Sequence, residues 1–328
     1  MYRFEHVNVY SVDEATEQLA RTDKKAGIIA GGTDLLTTLK GMCIPNPPDL
    51  LVNIKTIPDL NQIDVQNGVL KIGACATLTE IAESDKVAPW AVLQEAALKV
   101  ASPQLRNKGT IGGNICQLPR CIYYRKHSNR FYCTRKDDAP TSDCFASKTN
   151  GVNRYHSIFG GVGGCFAVCP SDIAPALVAL DAKINTNKKT WDAEDFFYTE
   201  GEQINSLEKG EFVTSIEVPA LASGTKSTYL KFAFRRSFDF PLVSCAAVVT
   251  VSGGSVSDAS IVLGGVHNRP RIAEDAEESI VGKSISAANA AAAGEAGVAT
   301  NSANLVPAAR YKVQVAKTLI TRAIEACA

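Results

Sequence analysis

The 328-residue chain carries 34 Lys plus Arg against 34 Asp plus Glu, with 45% apolar and 21% charged residues. That length favours two domains, and that composition suits a chain with a full hydrophobic core. The charge balance argues against a globally basic nucleic-acid surface, and no run of about eighteen apolar residues offers a membrane span.

The opening segment, Met1 to Val7, lacks a charged region followed by an apolar one, so a cytoplasmic location is expected. Export as the folded passenger of a signal-bearing partner is compatible with the same segment. Ten cysteines are many for such a chain. Without a secretory signal they point to metal ligation or redox work before a disulfide framework.

In chain order, Ser11 to Leu19 reads as a short helix, with Ser11 and Glu14 spaced as a capping box. Ala26 to Ala30 is a short buried strand, and Leu35 to Lys40 has helical promise. The prolines at 45, 47 and 48 break the chain before a strand at Leu50 to Ile54. Val69 to Gly73 is a strand, Thr77 caps a helix to Ser84, and Ala91 to Ala101 has apolar residues at helical spacing. Ile173 to Leu180 reads as a helix and Lys183 to Asn185 begins a strand. Further strands are expected at Phe212 to Val218, Thr228 to Phe234, Ala246 to Ser252 and Ala259 to Leu263, with Gly253-Gly254 as a hairpin turn. The third of these is apolar throughout, as in a strand covered on both faces. An alanine-rich helix near 287–293 and a helix over Pro307 to Ala326 complete the chain. A domain boundary is expected near residues 219–227.

Two glycine loops carry binding chemistry. Ala30-Gly31-Gly32-Thr33-Asp34-Leu35 stands between a strand and a helix, where consecutive glycines turn backbone N–H groups toward an anion. It is neither Gly-x-Gly-x-x-Gly nor a P-loop, and alone it reads as a simple tight turn before it reads as a binding loop. Gly109-Thr110-Ile111-Gly112-Gly113-Asn114 repeats the idea, and two such loops can grip one elongated cofactor.

Between the second loop and Cys169-Pro-Ser-Asp172 runs a polar stretch holding Cys121, Cys133, Cys144 and Cys165. So long a connection inside a domain needs something to order it. Spacing alone leaves three readings open: an iron–sulfur cluster, a zinc site without the usual C-x-x-C pair, and unliganded thiols. Cys116 and Cys169 are rival ligands. The four histidines form no pair at metal-ligand spacing, and no Ser-His-Asp set or paired catalytic carboxylates occur.

The two glycine loops, Pro170-Ser171-Asp172, the segment Lys231 to Pro241 and Gly264-Gly265-Val266 together resemble the flavin-binding subunit of the xanthine dehydrogenase family of molybdenum hydroxylases. The resemblance covers essentially the whole chain. It implies an α+β fold: a PCMH-type FAD-binding domain over 1–222, with subdomains of about 1–55 and 56–222. A smaller α/β domain of the CO dehydrogenase flavoprotein type follows over 223–328. It implies FAD held through Ala30, Gly31, Gly32, Thr33, Asp34, Leu35, Thr110, Gly112, Gly113 and Asn114. Asp172 would bond a polar group of the cofactor and Lys231 would approach the isoalloxazine edge. Outside the resemblance, Lys231 with Asp239 reads as a surface ion pair.

The cysteine stretch, an insertion over 117–168, is similar to that of a subset typified by the 4-hydroxybenzoyl-CoA reductase beta subunit and bacterial aldehyde oxidoreductase flavin subunits. That likeness implies a [4Fe–4S] cluster on Cys121, Cys133, Cys144 and Cys165, its charge offset by Arg120, Arg125, Lys126, Arg130, Arg135 and Lys136. The implied function is electron transfer within a complex containing a molybdopterin large subunit and a [2Fe–2S] small subunit, with ferredoxin as a redox partner. A stand-alone flavin oxidoreductase and a zinc-binding assembly protein are the competing expectations.

Overall fold

The computed structural model describes residues 2–127, 129–136, 144–148, 150–197, 204–298 and 307–328. These form three sheets. The first is parallel, with β1 (Glu5–Asn8), β2 (Ala26–Ile29) and β3 (Leu50–Asn53) in the order β1-β3-β2. Its crossovers carry α1 (Val12–Ala20) and α2 (Leu35–Lys40). The central strand β3 is buried at every residue, as its Leu-Leu-Val-Asn sequence requires. Ser11 caps α1 by accepting from the Glu14 N–H, but the Glu14 carboxylate reaches back to the N–H of Tyr10 rather than of Ser11.

The second sheet is antiparallel, in the order β4-β5-β8-β6-β7. Its strands are β4 (Ile63–Gln66), β5 (Val69–Gly73), β6 (Lys183–Thr186), β7 (Thr190–Asp192) and β8 (Val213–Val218). Between β5 and β6 the chain forms α3 (Leu78–Glu83), α4 (Ala91–Leu98), α5 (Pro103–Arg106) and α6 (Ile111–Ile115), then the cysteine stretch, then α7 (Ile173–Ala179). A short α8 (Ala193–Phe196) follows β7. All seven residues of α7 are buried.

The third sheet is an antiparallel meander in the order β12-β11-β10-β9, built from β9 (Thr225–Phe232), β10 (Val243–Ser252), β11 (Ser255–Gly264) and β12 (Arg271–Ile272). Helices α9 (Glu274–Ile280), α10 (Ala287–Ala296) and α11 (Tyr311–Ala326) pack against one face. Strand β10 feeds two cores. Val243, Cys245, Ala247 and Val249 pack with those helices, while Ala246 joins the core around α4 and α7. This two-sided burial explains its unbroken apolar sequence. Gly253 and Gly254 both have positive φ, +59° and +82°, as the tight β10–β11 turn demands.

Because α7 touches both β10 and β11, the third sheet shares its core with the second subdomain. The second glycine loop and the cysteine stretch precede α7 in the chain, and the first glycine loop lies against the second.

Candidate functional site

The first glycine loop leaves the C-terminal end of β2 and enters α2. Gly32 sits at φ +71°. Gly31 lies against the second loop: a Cβ built there would fall 1.9 Å from the Lys108 carbonyl oxygen, so only glycine fits. Thr33 lies beside Gly109 in the same contact. Among the described residues the N–H groups of Gly32, Thr33 and Asp34 make no hydrogen bond to the protein, which leaves donors free for an anion.

Asp34 has a different task from its neighbours. Its carboxylate accepts from the N–H of Leu118 (2.9 Å) and pairs with Arg125 (2.8 Å) and Arg120 (3.0 Å). It therefore ties the start of the cysteine stretch to the first loop, and Asp34 can serve a cofactor there through its backbone. Arg120 and Arg125, expected to offset a cluster, are first of all partners of Asp34.

The second loop is more ordered than its glycines suggest. Thr110 caps α6, accepting from the Gly113 N–H at 3.2 Å. Gly112 packs on Ala74, where a Cβ would lie 2.9 Å from a carbonyl oxygen. Asn114 accepts from the Ser171 hydroxyl at 2.5 Å, and Ser171 in turn accepts from the Ala174 N–H in α7. Ala30, Gly31, Gly32, Thr33, Asp34 and Leu35 are half-buried, while Thr110, Gly112 and Asn114 are buried.

Asp172 and Lys231 meet each other. Lys231 Nζ is 2.8 Å from one carboxylate oxygen of Asp172, and the Tyr229 hydroxyl donates to the other at 2.5 Å. Lys231 also donates to the Lys99 carbonyl. The pair is buried, with side chains 3% and 7% exposed. Burial pushes the Asp172 carboxyl up against the pull of Lys231, and burial beside Asp172 holds the Tyr229 phenol well above its ordinary value. The surface pair expected of Lys231 and Asp239 does not form; Asp239 instead pairs with Arg235 in solvent.

The four cysteines of the insertion are brought together. Cys133, Cys144 and Cys165 are buried and Cys121 is half-buried. Their thiols act on one another: Cys121 feels Cys133 and Cys165, Cys133 feels Cys165 and Cys144, and Cys144 feels Cys165. The rivals stand apart, since Cys169 feels Asp172 and Cys116 bonds Asn205. Each sulfur of the set receives donors: the N–H groups of Tyr123 and Tyr124 at Cys121, of Arg135 at Cys133, and of Ala146, Ser147 and Phe166 at Cys144. Cys165 accepts from Arg135 Nε at 3.0 Å and from the Ala167 N–H at 3.4 Å. Burial pushes the Cys121 thiol up to about 12 and the Cys133 thiol up to about 11. Among the described residues, no group of three or more His, Cys, Asp or Glu converges closely enough to hold a metal ion.

Tyr123, Phe131 and Phe145 pack together beside this set, with ring centroids 5.2–6.0 Å apart; Phe131 meets Phe145 edge to face, and Tyr123 is tilted against both. His156 lies with Nε2 3.4 Å from Cys121 Sγ. A cavity of about 450 Å³ opens beside the cysteines, lined by Arg120, Cys121, His156, Phe234, Phe240 and Leu242 among others. The Arg120 guanidinium stacks on Phe240 at 4.3 Å, spanning the first loop, the insertion and the third sheet. Sequence reasoning missed the roles of Ser171, Tyr229 and His156. Only Ser171 carried a signal, through its place beside Asp172.

Comparison with known proteins bears on this arrangement. Residues 2–221 match the family described as the FAD binding domain in molybdopterin dehydrogenase, and residues 228–327 match the CO dehydrogenase flavoprotein C-terminal domain. The aldehyde oxidoreductase FAD-binding subunit PaoB of Escherichia coli is 34% identical over 255 residues, 75% of this chain and 76% of its own length. The carbon monoxide dehydrogenase medium chain of Hydrogenophaga pseudoflava is 29% identical over 327 residues, 99% of this chain and 96% of its own. A solved structure of carbon monoxide dehydrogenase from the same organism superposes with a TM-score of 0.75 at 28% identity, covering 99% of this chain and 97% of that one. With both domains matched in order and the cradle of two glycine loops in place, the chain belongs to the family of FAD-binding subunits of the molybdenum hydroxylases, and it is an oxidoreductase subunit whose cofactor is FAD.

Proposed function

We propose that this chain is the electron-transfer subunit of a molybdenum hydroxylase complex, carrying a [4Fe–4S] cluster beside its FAD. In this reading it links a molybdopterin large subunit and a [2Fe–2S] small subunit to an external acceptor or donor. Bound FAD supplies the exchange between two-electron and one-electron chemistry, and a cluster supplies a one-electron port.

The observation that carries the cluster is the donor set. Four thiols of one insertion lie within electrostatic reach of one another, the number that a four-iron core takes. A tetrahedral zinc holds its thiolates about 2.3 Å from one centre, whereas a four-iron core places each thiolate on its own iron. The N–H donors aimed at the sulfurs stabilise thiolates, and binding releases the protons that burial otherwise retains. The isolation of Cys169 from the set supports Cys165 as the fourth ligand.

For FAD, the chain offers the free N–H groups of Gly32, Thr33 and Asp34, with Ala30 and Leu35 flanking them. Thr110, Gly112, Gly113 and Asn114 stand on the opposing loop. Asp172 and Lys231 form a neutral buried pair at the base of α7 and fix the orientation of that wall. The domain limits follow as 1–222 and 223–328.

Iron and acid-labile sulfide analysis of the anaerobically purified complex tests the reading. Cys165→Ser should remove roughly four irons and four sulfides while FAD content stays constant; Cys169→Ser should remove none. Zinc in the wild type, with no iron or sulfide lost in Cys165→Ser, would sink the cluster. For the partner, exposed Lys126 and Arg130 suit an acidic ferredoxin, while Arg125 is committed to Asp34. Charge reversal at Lys126 and Arg130 should slow ferredoxin-linked turnover and weaken its salt dependence; unaltered turnover would exclude this docking face.

A further inference from the structure

Lys312, in the first turn of α11, has no exposed surface. Its Nζ donates to the carbonyls of Gly265 (2.7 Å) and Tyr155 (2.9 Å). Among the described residues no carboxylate pairs with it. Two carbonyl dipoles solvate an ammonium but do not neutralise it. A buried charge without a counter-charge costs several kcal/mol. Burial alone lowers this amine to about 7.

The surroundings indicate where the missing charge belongs. Tyr155, whose carbonyl Lys312 holds, directly precedes His156. His156 is 4% exposed and places Nε2 3.4 Å from Cys121 Sγ. It lies within electrostatic reach of Lys312. The start of α11 and the turn just before it grip the insertion twice more. The Ala308 N–H donates to Asn153 Oδ1 and the Tyr311 hydroxyl donates to the Arg154 carbonyl. The Lys312 ammonium is thus joined through Tyr155 and His156 to Cys121.

We propose that Lys312 is the internal counter-cation of the four-cysteine centre, a positioning residue that acts through Tyr155 and His156 to set its reduction potential. The inference rests on the cluster reading above. A four-iron core with four thiolates is anionic in both oxidation states, and reduction by one electron adds a further negative charge. A fixed cation favours the reduced state by Coulomb attraction, and the anion in return keeps the lysine protonated. In a titration the electron comes from dithionite and returns to ferricyanide, and the resonance signal of the four-iron centre is read separately from those of the flavin and the [2Fe–2S] centres.

The test uses the purified complex, with iron and sulfide content and a midpoint potential from an anaerobic titration followed by electron paramagnetic resonance. Lys312→Gln keeps a donor for the carbonyls and removes the charge; Lys312→Arg keeps the charge. The glutamine variant should load iron and sulfide as the wild type does. Its midpoint should fall by a tenfold shift in the one-electron equilibrium, about 59 mV. The arginine variant should keep the wild-type midpoint. A loaded glutamine variant with an unmoved midpoint overturns the proposal, as does an equal shift in both variants. If glutamine leaves the centre empty, a loaded arginine variant at the wild-type midpoint supports it. Loss of the centre in both variants assigns Lys312 a packing role and overturns it. Wild-type iron and sulfide no greater than the [2Fe–2S] subunit supplies is a separate result: it removes the cluster reading before any variant is compared.

Discussion

Lys231 and Lys312 both reach from the third sheet and its helices toward the N-terminal part of the chain, and both are buried. Lys231 finds Asp172 at 2.8 Å. Lys312 finds only two carbonyls. The first boundary is electrostatically closed within the protein. The second holds a buried ammonium linked through Tyr155 and His156 to Cys121. A fold that tolerates an unpaired buried ammonium gives up stability there, and such sites mark where an absent charge is to be accommodated.

The comparison is broken most directly by removing the carboxylate. Asp172→Ala leaves Lys231 buried and alone, and should destabilise the FAD-free chain by about 3–5 kcal/mol in urea denaturation. Adding Lys231→Met to that variant should restore much of the loss; a double variant as unstable as the single one would show that charge is not the cause. Acid tests the second boundary. Burial, with Arg269 and Arg271 nearby, holds the His267 imidazole down to about 4, against 6.5 ordinarily. As pH falls, the unfolded chain takes this proton first. Stability is therefore complete above about pH 6.5 and is lost between 6.5 and 4, by about 2–3 kcal/mol. His267→Asn should flatten that part of the curve of denaturation midpoint against pH.

A smaller effect is expected at the flavin loops. Gly31→Ala drives a methyl into the Lys108 carbonyl and should cost about 1–3 kcal/mol, with weaker FAD retention on dialysis. The smallest belongs to Lys312→Met in chain stripped of any metal. Loss of two hydrogen bonds is offset by release of an unpaired charge, so the net change should stay near 1 kcal/mol. A loss as large as that of Asp172→Ala would erase the contrast between the two lysines.

Much of this was legible in the sequence, for identifiable reasons. Glycine runs and cysteine clusters are rare enough to stand out, and the apolar run of β10 announced a strand with two covered faces. Strand β1 escaped notice because Glu5-His-Val-Asn8 has no apolar alternation and owes its existence to pairing with β3. The segment from Thr110 looked like an irregular loop because glycine is a poor helix former, yet the Thr110 cap and the support of Ala74 and Ala76 hold one helical turn. Asp34 read as part of an anion cradle, since its arginine partners lie far along the chain. Lys312 lies on a polar-looking part of an amphipathic helix, and nothing local marks it as buried. Charges that meet across long separations in sequence are the part that only folding reveals.

The attachment of the cysteine stretch to α11 also bears on biosynthesis. Domains fold broadly in the order in which they leave the ribosome. All four cysteines of the insertion are translated well before Ala308, Tyr311 and Lys312, the residues that grip its backbone. The thiols therefore spend the later part of synthesis without their supporting helix, open to solvent and reagents, and the arrival of α11 shuts that interval.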